Sequence, residues 1–309
     1  MATSWKEKSF DTWLEFREYL EDELNPAYTL FRGQADSIWS LQTSLDRLLR
    51  SLPVSFRNEN LVQLHLERFM KATRGRRLGQ QTLAAMSENE WWALGQHHGL
   101  ATPLLDWSGS PYIASYFAFA SLDRPDSEKR AIWALVPNAL DSANRSILGP
   151  EEGRSGTSTQ HKQWSEERDA SKLTIKKFGE LIETERPPIV EIVEPAGDDN
   201  LRLVNQAGAF TRSPILVDFE NWVETLSDEF RVPVLLKLLV PNDDRFEALT
   251  ALQKMNIHSQ SMFPDLVGAS VYCNEILSLQ AETVRVNEEA RQLLKFLKGE
   301  ADQNDEAAP

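Results

Sequence analysis

The order of the predicted helices and strands indicates a single α+β domain with a mixed, mostly antiparallel sheet, flanked by N-terminal and C-terminal helices. Helical periodicity dominates both ends of the chain, whereas short apolar stretches typical of strands occupy the middle. No internal repeat occurs, and no Pro- and Gly-rich linker divides the 309 residues. We therefore expect an N-terminal helix at 1–27, one large domain at 28–280, and a C-terminal helix with a disordered acidic tail at 281–309.

The composition is ordinary for a globular protein, with 41% hydrophobic and 26% charged residues. The formal net charge of -14 argues against nucleic-acid binding through overall charge, because phosphate contacts need clustered Lys and Arg. A basic patch at 71–77 is the local exception, although a solvated helix end is the simpler interpretation. The single cysteine, Cys273, excludes an intramolecular disulfide, and neither a signal peptide nor a membrane span is recognisable. We expect a soluble, cytoplasmic protein that does not bind membranes.

The first predicted helix covers residues 9–24, where apolar side chains recur at helical spacing and Asp11 is the expected N-cap. Pro26 ends it. A short apolar strand follows at 28–31, and 37–41 are expected to continue as a second short strand or an extended turn.

The first strand leads directly into Arg32 and Gly33. A guanidinium offers five donors in a fixed fork, and glycine lets a backbone or a ligand approach closely, so this pair suits the floor of a pocket. The alternative is an Arg32 that clamps a carboxylate for structural reasons.

Two helices are predicted next, at 58–74 and 87–97. The second begins with a capping box, because Ser87 is followed three residues later by Glu90. Gly99 ends it, which places the adjacent His97 and His98 at or just past the helix C-terminus, where the helix dipole favours a protonated imidazole.

A buried strand is predicted at 104–107, followed by a turn and a helix that begins at Pro111. Asp106 lies between Leu105 and Trp107, and a carboxylate in such surroundings needs a partner. The two expected partners are an arginine such as Arg32 and the backbone N–H groups at the start of the following helix.

The rest of the chain contains strands, helices and a polar insertion. The insertion at 141–186 is predicted to be a long irregular segment with room for one helix. Loops of this length tend to act as mobile lids or to bind a partner. The segment 201–210, which contains Gln206, is expected to line the same pocket as Arg32. Further strands are predicted at 131–136, 189–193 and 232–240, and further helices at 219–226, 243–255, 266–279 and 275–299.

Four segments of the chain form one set of motifs: YTLFRGQ at 28–34, HHGLATPLLDWSGSPYIASYFAF at 97–119, RLVNQAGAF at 202–210 and MNIHSQSMFPDL at 255–266. Together they resemble the FRG domain family, which is named for a Phe-Arg-Gly motif, and the resemblance spans roughly 28–279. Members of that family are found in bacteria and their phages, often near defence or toxin-like genes. The resemblance therefore implies a bacterial protein in a phage-defence context.

A second resemblance is to ADP-ribosyltransferases of the Arg-Ser-Glu type, and it implies an ADP-ribosyltransferase-like fold with NAD as the ligand. Arg32 and Gly33 match the Arg-Gly of that pattern, and residues 108–118 match its Ser/Thr turn and helix. The resemblance implies that Arg32 holds an NAD phosphate and that Ser108 fixes the nicotinamide ribose. Gln206 stands where the pattern has a catalytic glutamate, with Glu191 and Glu194 as substitutes.

The predicted site thus combines two groups of residues, and no metal is expected. The catalytic candidates are Arg32, His98, Asp106 and Gln206. The candidates for binding NAD or a similar nucleotide are Gly33, Gln34, Thr102, Ser108, Tyr116 and Phe210. For the aromatic residues, plain core packing is the simpler interpretation.

Three functions are compatible with these residues. The first is an NAD-using transferase or glycohydrolase of the ADP-ribosyltransferase type, with an unidentified macromolecular target. The second is a non-enzymatic sensor or interaction domain that binds a nucleotide-like ligand or a phage protein. A metal-dependent hydrolase using His97, His98 and Asp106 is the weakest, because adjacent histidines on a regular element point apart. Convergence of Arg32, His98, Asp106 and Gln206 on one cleft would establish a site.

Overall fold

A computed structural model describes residues 4–74, 86–121, 126–148, 173–175, 182–184, 189–193, 208–226, 232–263 and 265–305. The chain divides into two compact units, Met1–Asn242 and Asp243–Pro309. The first unit contains the sheet, and the described part of the second is helical. None of the described helices combines the length and the apolar character that a membrane span requires.

The described elements are short strands and mostly short helices, apart from one long helix at the end. The strands are β1 (Trp5–Ser9), β2 (Leu30–Gln34), β3 (Leu104–Ser108), β4 (Lys129–Leu135), β5 (Leu173–Ile175), β6 (Ile182–Thr184), β7 (Glu191–Val193), β8 (Gly208–Arg212) and β9 (Leu235–Pro241). The helices are α1 (Trp13–Glu18, continued by a π-helical turn at Tyr19–Glu23), α2 (Ser44–Arg50), α3 (Glu59–Ala72), α4 (Glu88–His97), α5 (Pro111–Phe119), α6 (Pro137–Leu148), α7 (Phe219–Glu224), α8 (Arg245–Lys254), α9 (Ser259–Met262) and α10 (Leu266–Asp305), with a 3-10 turn at Val54–Phe56.

Seven of the described strands form one sheet in the order β1-β9-β4-β2-β3-β8-β7. The β1–β9 pair is parallel, and the other neighbouring strands in this sheet pair antiparallel. The predicted fold class, α+β with a mixed and mostly antiparallel sheet, is therefore confirmed. Strands β5 and β6 pair with each other in a separate two-stranded sheet.

Helix α5 packs closely on β2, and Gly33 makes this possible. A Cβ atom at Gly33 would lie 2.6 Å from the backbone nitrogen of Ala118 and would also overlap the carbonyl of Ala114. These are backbone atoms, which cannot rotate away as a side chain would. The close approach that glycine permits here is therefore that of a neighbouring helix.

Helices α2, α3 and α4 pack together with β3, β7 and β8 through a shared hydrophobic cluster. Trp92 and Leu66 are almost completely buried within it, and Leu104 and Phe210 contribute from the sheet. Buried side chains from both the helices and the strands contact one another in this cluster. This packing holds the end of α4 beside β3.

Several predicted boundaries differ from the structure at the start of the chain. The N-cap of α1 is Thr12, whose hydroxyl accepts from the Glu15 N–H at 3.1 Å, and not Asp11. For residues 37–41, where a short strand or an extended turn was expected, the structure has the turn: the Asp36 carboxylate accepts from the backbone N–H of Ile38 and holds it.

Two predictions for the later part of the chain also need correction. Residues 141–148 of the supposed irregular insertion belong to α6, and the insertion contributes β5 and β6; its other residues lie outside the described ranges. Helix α10 continues to Asp305, so the tail is helical at 300–305, where disorder was expected.

Candidate functional site

Arg32 and Asp106 meet where β2 runs beside β3. The Nη1 atom of Arg32 donates to the backbone carbonyl of Asp106 at 2.8 Å and lies 3.4 Å from the Asp106 carboxylate. The Arg32 side chain is 21% exposed and the Asp106 side chain is 60% exposed, so the pair lies at the boundary between the interior and the surface. Arg32 is thus one of the two partners that were expected for Asp106.

The Arg32 guanidinium is only partly satisfied. Its Nε atom is buried, and among the described residues neither Nε nor Nη2 has a hydrogen-bond partner. Burial lowers the pKa of Arg32, the charge and hydrogen bond of Asp106 raise it, and the charge of Arg47 lowers it again. Because arginine stays charged even when buried, Arg32 presents a cation with a free edge.

The other Asp106 oxygen is held by Gln96, at the end of α4. Gln96 Nε2 donates to Asp106 Oδ1 at 2.5 Å, and Gln96 Oε1 accepts from the hydroxyl of the fully buried Thr102. The amide therefore has one orientation that satisfies both neighbours. Gln96 was not predicted as a site residue, because a polar side chain in the last turn of a helix has no distinctive local pattern.

Thr102 in turn connects this group to α2. The Ser44 hydroxyl accepts from the Thr102 N–H at 2.9 Å, and the Leu45 N–H donates to the Thr102 carbonyl at 3.1 Å. Arg32, Asp106, Gln96, Thr102 and Ser44 form a continuous chain of hydrogen bonds, which we call the Arg32 network. It brings together three predicted residues, Arg32, Asp106 and Thr102, and its five members come from β2, α2, α4, β3 and the connection between α4 and β3.

The two histidines lie outside these contacts. His98 follows the last residue of α4, and its backbone N–H bonds to the Leu94 and Gly95 carbonyls at the helix end. Its exposed ring packs edge-on against that of His97, with 4.9 Å between centroids. Within the described ranges, no group of three or more His, Cys, Asp or Glu side chains is placed to hold a metal ion.

Four of the residues predicted to bind a nucleotide lie buried in the interior of the first unit: Gln34, Ser108, Tyr116 and Phe210. Gln34 accepts from the indole N–H of Trp133 at 2.6 Å and donates to the Ser40 carbonyl, so it supports the sheet next to Arg32. The Ser108 hydroxyl accepts from the Ser110 N–H at 3.1 Å, in the turn that begins α5. Phe210 lies in the hydrophobic cluster.

The candidates from the later segments are separate from the Arg32 network or outside the described ranges. Gln206 and Glu194 belong to the residues that the structure does not describe. Glu191, on β7, accepts from Asn89 Nδ2 at 3.4 Å at the start of α4. Asp106 is therefore the carboxylate that the described structure places beside Arg32.

Comparison with known families identifies the central part of the first unit. Residues 27–127 match the model of the FRG domain. No curated protein and no solved structure gave a significant match. The match covers β2, β3 and every member of the Arg32 network, whereas the motifs at 202–210 and 255–266 lie beyond it. Phe31, Arg32 and Gly33, the motif that gives this domain its name, stand within the matched range, and residues 27–127 are therefore assigned as an FRG domain.

Proposed function

We propose that the Arg32 network binds NAD or a similar phosphate-bearing nucleotide, and that the protein is an enzyme of the ADP-ribosyltransferase type. The observation that carries this proposal is the buried, unpartnered Nε of Arg32. A buried donor left unpaired costs about 1–3 kcal/mol, and more when it is charged. An acceptor supplied by a ligand would remove this cost.

The orientation of the guanidinium supports a phosphate in particular. Nη1 is bound to Asp106, which leaves the edge formed by Nε and Nη2. This edge presents two parallel N–H donors, the arrangement that matches two oxygens of a phosphate group. The hydrogen bond to the Asp106 carbonyl holds the group in that orientation before a ligand binds.

In the proposed enzyme, Asp106 accepts the proton of the incoming nucleophile. Bound NAD supplies an ADP-ribosyl group, which passes to the acceptor as the bond to nicotinamide breaks. Gln96 and Thr102 hold the Asp106 carboxylate in place, as a base needs an orienting partner. A role in bacterial phage defence belongs to this proposal and follows from the family resemblance alone, whereas the proposed cytoplasmic location follows from the single cysteine.

A second candidate function is a sensor that binds the nucleotide without converting it. One observation favours it: both oxygens of Asp106 are already engaged, one by Arg32 and one by Gln96. A carboxylate whose two oxygens are both held in this way acts as a clamp that orients the arginine.

Calorimetric titration with NAD, together with NMR detection of released nicotinamide, tests both candidates. Binding by the unchanged protein, weakened about 10-fold or more in Arg32→Lys because lysine lacks the fork, supports the site. Arg68→Gln, which removes an exposed arginine of α3, is the matched control and should bind like the unchanged protein. Absence of NAD binding would overturn the proposal.

Turnover separates the enzyme from the sensor. With labelled NAD and candidate protein, RNA or DNA acceptors, the enzyme releases nicotinamide, and Asp106→Asn, which keeps the shape but not the charge, slows this release. Binding without release identifies the sensor. Release at an unchanged rate in Asp106→Asn would show that Asp106 is not the base.

A further inference from the structure

A second arginine, Arg47, lies at the same end of α2 as the Arg32 network. Its side chain is exposed, and its Nη1 donates at 2.9 Å to the carbonyl of Gln42, which precedes the helix. Side chains on a helix tilt toward its N-terminus, so this contact places the guanidinium beside the first turn of α2. Arg47 is not among the residues that the sequence patterns single out.

The first turn of α2 is attached to the network directly. Ser44 and Leu45 bind the backbone of Thr102, and Thr102 holds Gln96, which holds Asp106. A short series of hydrogen bonds therefore fixes the base of Arg47 relative to Arg32. The charge of Arg47 also reaches Arg32, since it opposes the protonated form of Arg32 and so lowers the pKa of that group, after the larger effects of burial and of Asp106.

The charges around Arg32 do not balance within the described residues. Asp106 supplies one negative charge, and its exposed carboxylate is shared with Gln96. Arg32 and Arg47 supply two positive charges: Arg32 keeps its Nε without a partner among the described residues, and Arg47 Nη1 bonds to the neutral carbonyl of Gln42. Two neighbouring cations repel one another, and an anion carrying at least two charges between them would remove this repulsion.

We propose that Arg32 and Arg47 together form a subsite for a diphosphate group. Arg32 binds one phosphate through its Nε and Nη2 edge in the interior, and Arg47 binds the second phosphate at the surface. This inference rests on the proposed nucleotide site and narrows its ligands to those that carry a diphosphate. It makes Arg47 a residue that determines specificity, since a ligand with a single phosphate reaches Arg32 alone.

The test measures binding of inorganic pyrophosphate, inorganic phosphate, ADP and adenosine by calorimetry, with the full chain. For the unchanged protein, we expect pyrophosphate and ADP to bind at least about 10-fold more tightly than phosphate, and adenosine not to bind measurably. Arg47→Gln should weaken pyrophosphate about 10-fold or more and change phosphate binding less than about 3-fold. Arg47→Lys, which keeps the charge, should recover part of the loss.

Arg68→Gln is the matched control, because it removes the same charge from the exposed surface of α3. Circular dichroism confirms that each variant is folded, and the exposed position of Arg47 makes its replacement tolerable. Pyrophosphate binding that is equally tight in Arg47→Gln and Arg68→Gln would overturn the inference while the Arg32 site stands. Pyrophosphate binding that depends on Arg47, without any binding of NAD, would support the diphosphate subsite and refute the assignment of NAD.

Discussion

Replacing Gly33 with alanine tests whether the glycine of the Phe-Arg-Gly motif serves packing. In the structure, the added Cβ would lie 2.6 Å from the backbone nitrogen and 3.0 Å from a backbone carbon of α5. Heavy atoms this close must separate, and only a shift of the helix or of β2 can separate them. The substitution therefore strains the interface between α5 and the sheet.

The cost can be estimated from two opposing effects. Overpacking of a core costs about 1–3 kcal/mol, and a clash with backbone atoms belongs at the upper end of that range. Alanine also reduces the conformational entropy of the unfolded chain, which favours the folded state by about 0.4–1 kcal/mol. We expect Gly33→Ala to lower the free energy of unfolding by about 2 kcal/mol, and to lower Tm by roughly 4–8 °C for a unit of this size.

Gly95→Ala is the matched control, because a Cβ there would meet the flexible side chain of Leu100 instead of backbone. Its position inside α4 adds helix propensity worth about 1 kcal/mol, which offsets the displacement of Leu100. Urea unfolding followed by tryptophan fluorescence compares the two variants. The steric explanation is refuted if Gly33→Ala is as stable as Gly95→Ala.

Two further predictions concern buried and capping side chains. Asp46 accepts from the backbone N–H of Leu216 at 2.7 Å in the core, so Asp46→Ala should cost about 1–3 kcal/mol in urea unfolding. Burial raises the pKa of Asp46, so the protonated side chain stabilises the folded state fully below about pH 4. This stabilisation is lost as the pH rises through the raised pKa. The free energy of unfolding of Asp46→Asn, which has no carboxyl group at this position, should fall less over the same pH range. His258 Nδ1 accepts from the Ser261 N–H, while Nε2 faces Asn256 Oδ1 at 3.1 Å. Nitrogen-15 NMR should therefore find the Nε2–H tautomer, and the opposite tautomer would contradict this cap.

Elements with strong local signals could be predicted from the sequence. Ser87 and Glu90 form the capping box expected at the start of α4, and Pro111 begins α5 as the first helical residue. In both cases the start of the helix is set by residues that interact with each other or with the first turn of the same helix. Such contacts depend on a few neighbouring positions, so the sequence contains the information directly.

Edge strands and distant site contacts could not be predicted in this way. Strand β1 falls within the N-terminal helix that was expected at 1–27, because its short polar sequence carries no strand pattern and its pairing with β9 makes it a strand. Gln96 and Arg47 join Arg32 because the packing of α2 and α4 against the sheet brings their ends together. No spacing along the chain records that packing, so these residues are recognised only in the folded protein.

The pairing of β1 with β9 has a consequence for folding during synthesis. Trp5 is aligned with Leu235, so the first strand waits for about 230 further residues before its neighbour exists. At ribosomal rates of about 5–20 residues per second, this interval lasts roughly 10–50 s. During that time β4 also lacks the partner on one side, and two strand edges stay open to wrong pairing or aggregation. The three consecutive charged residues of β1, Lys6, Glu7 and Lys8, disfavour such wrong pairing while the chain is completed.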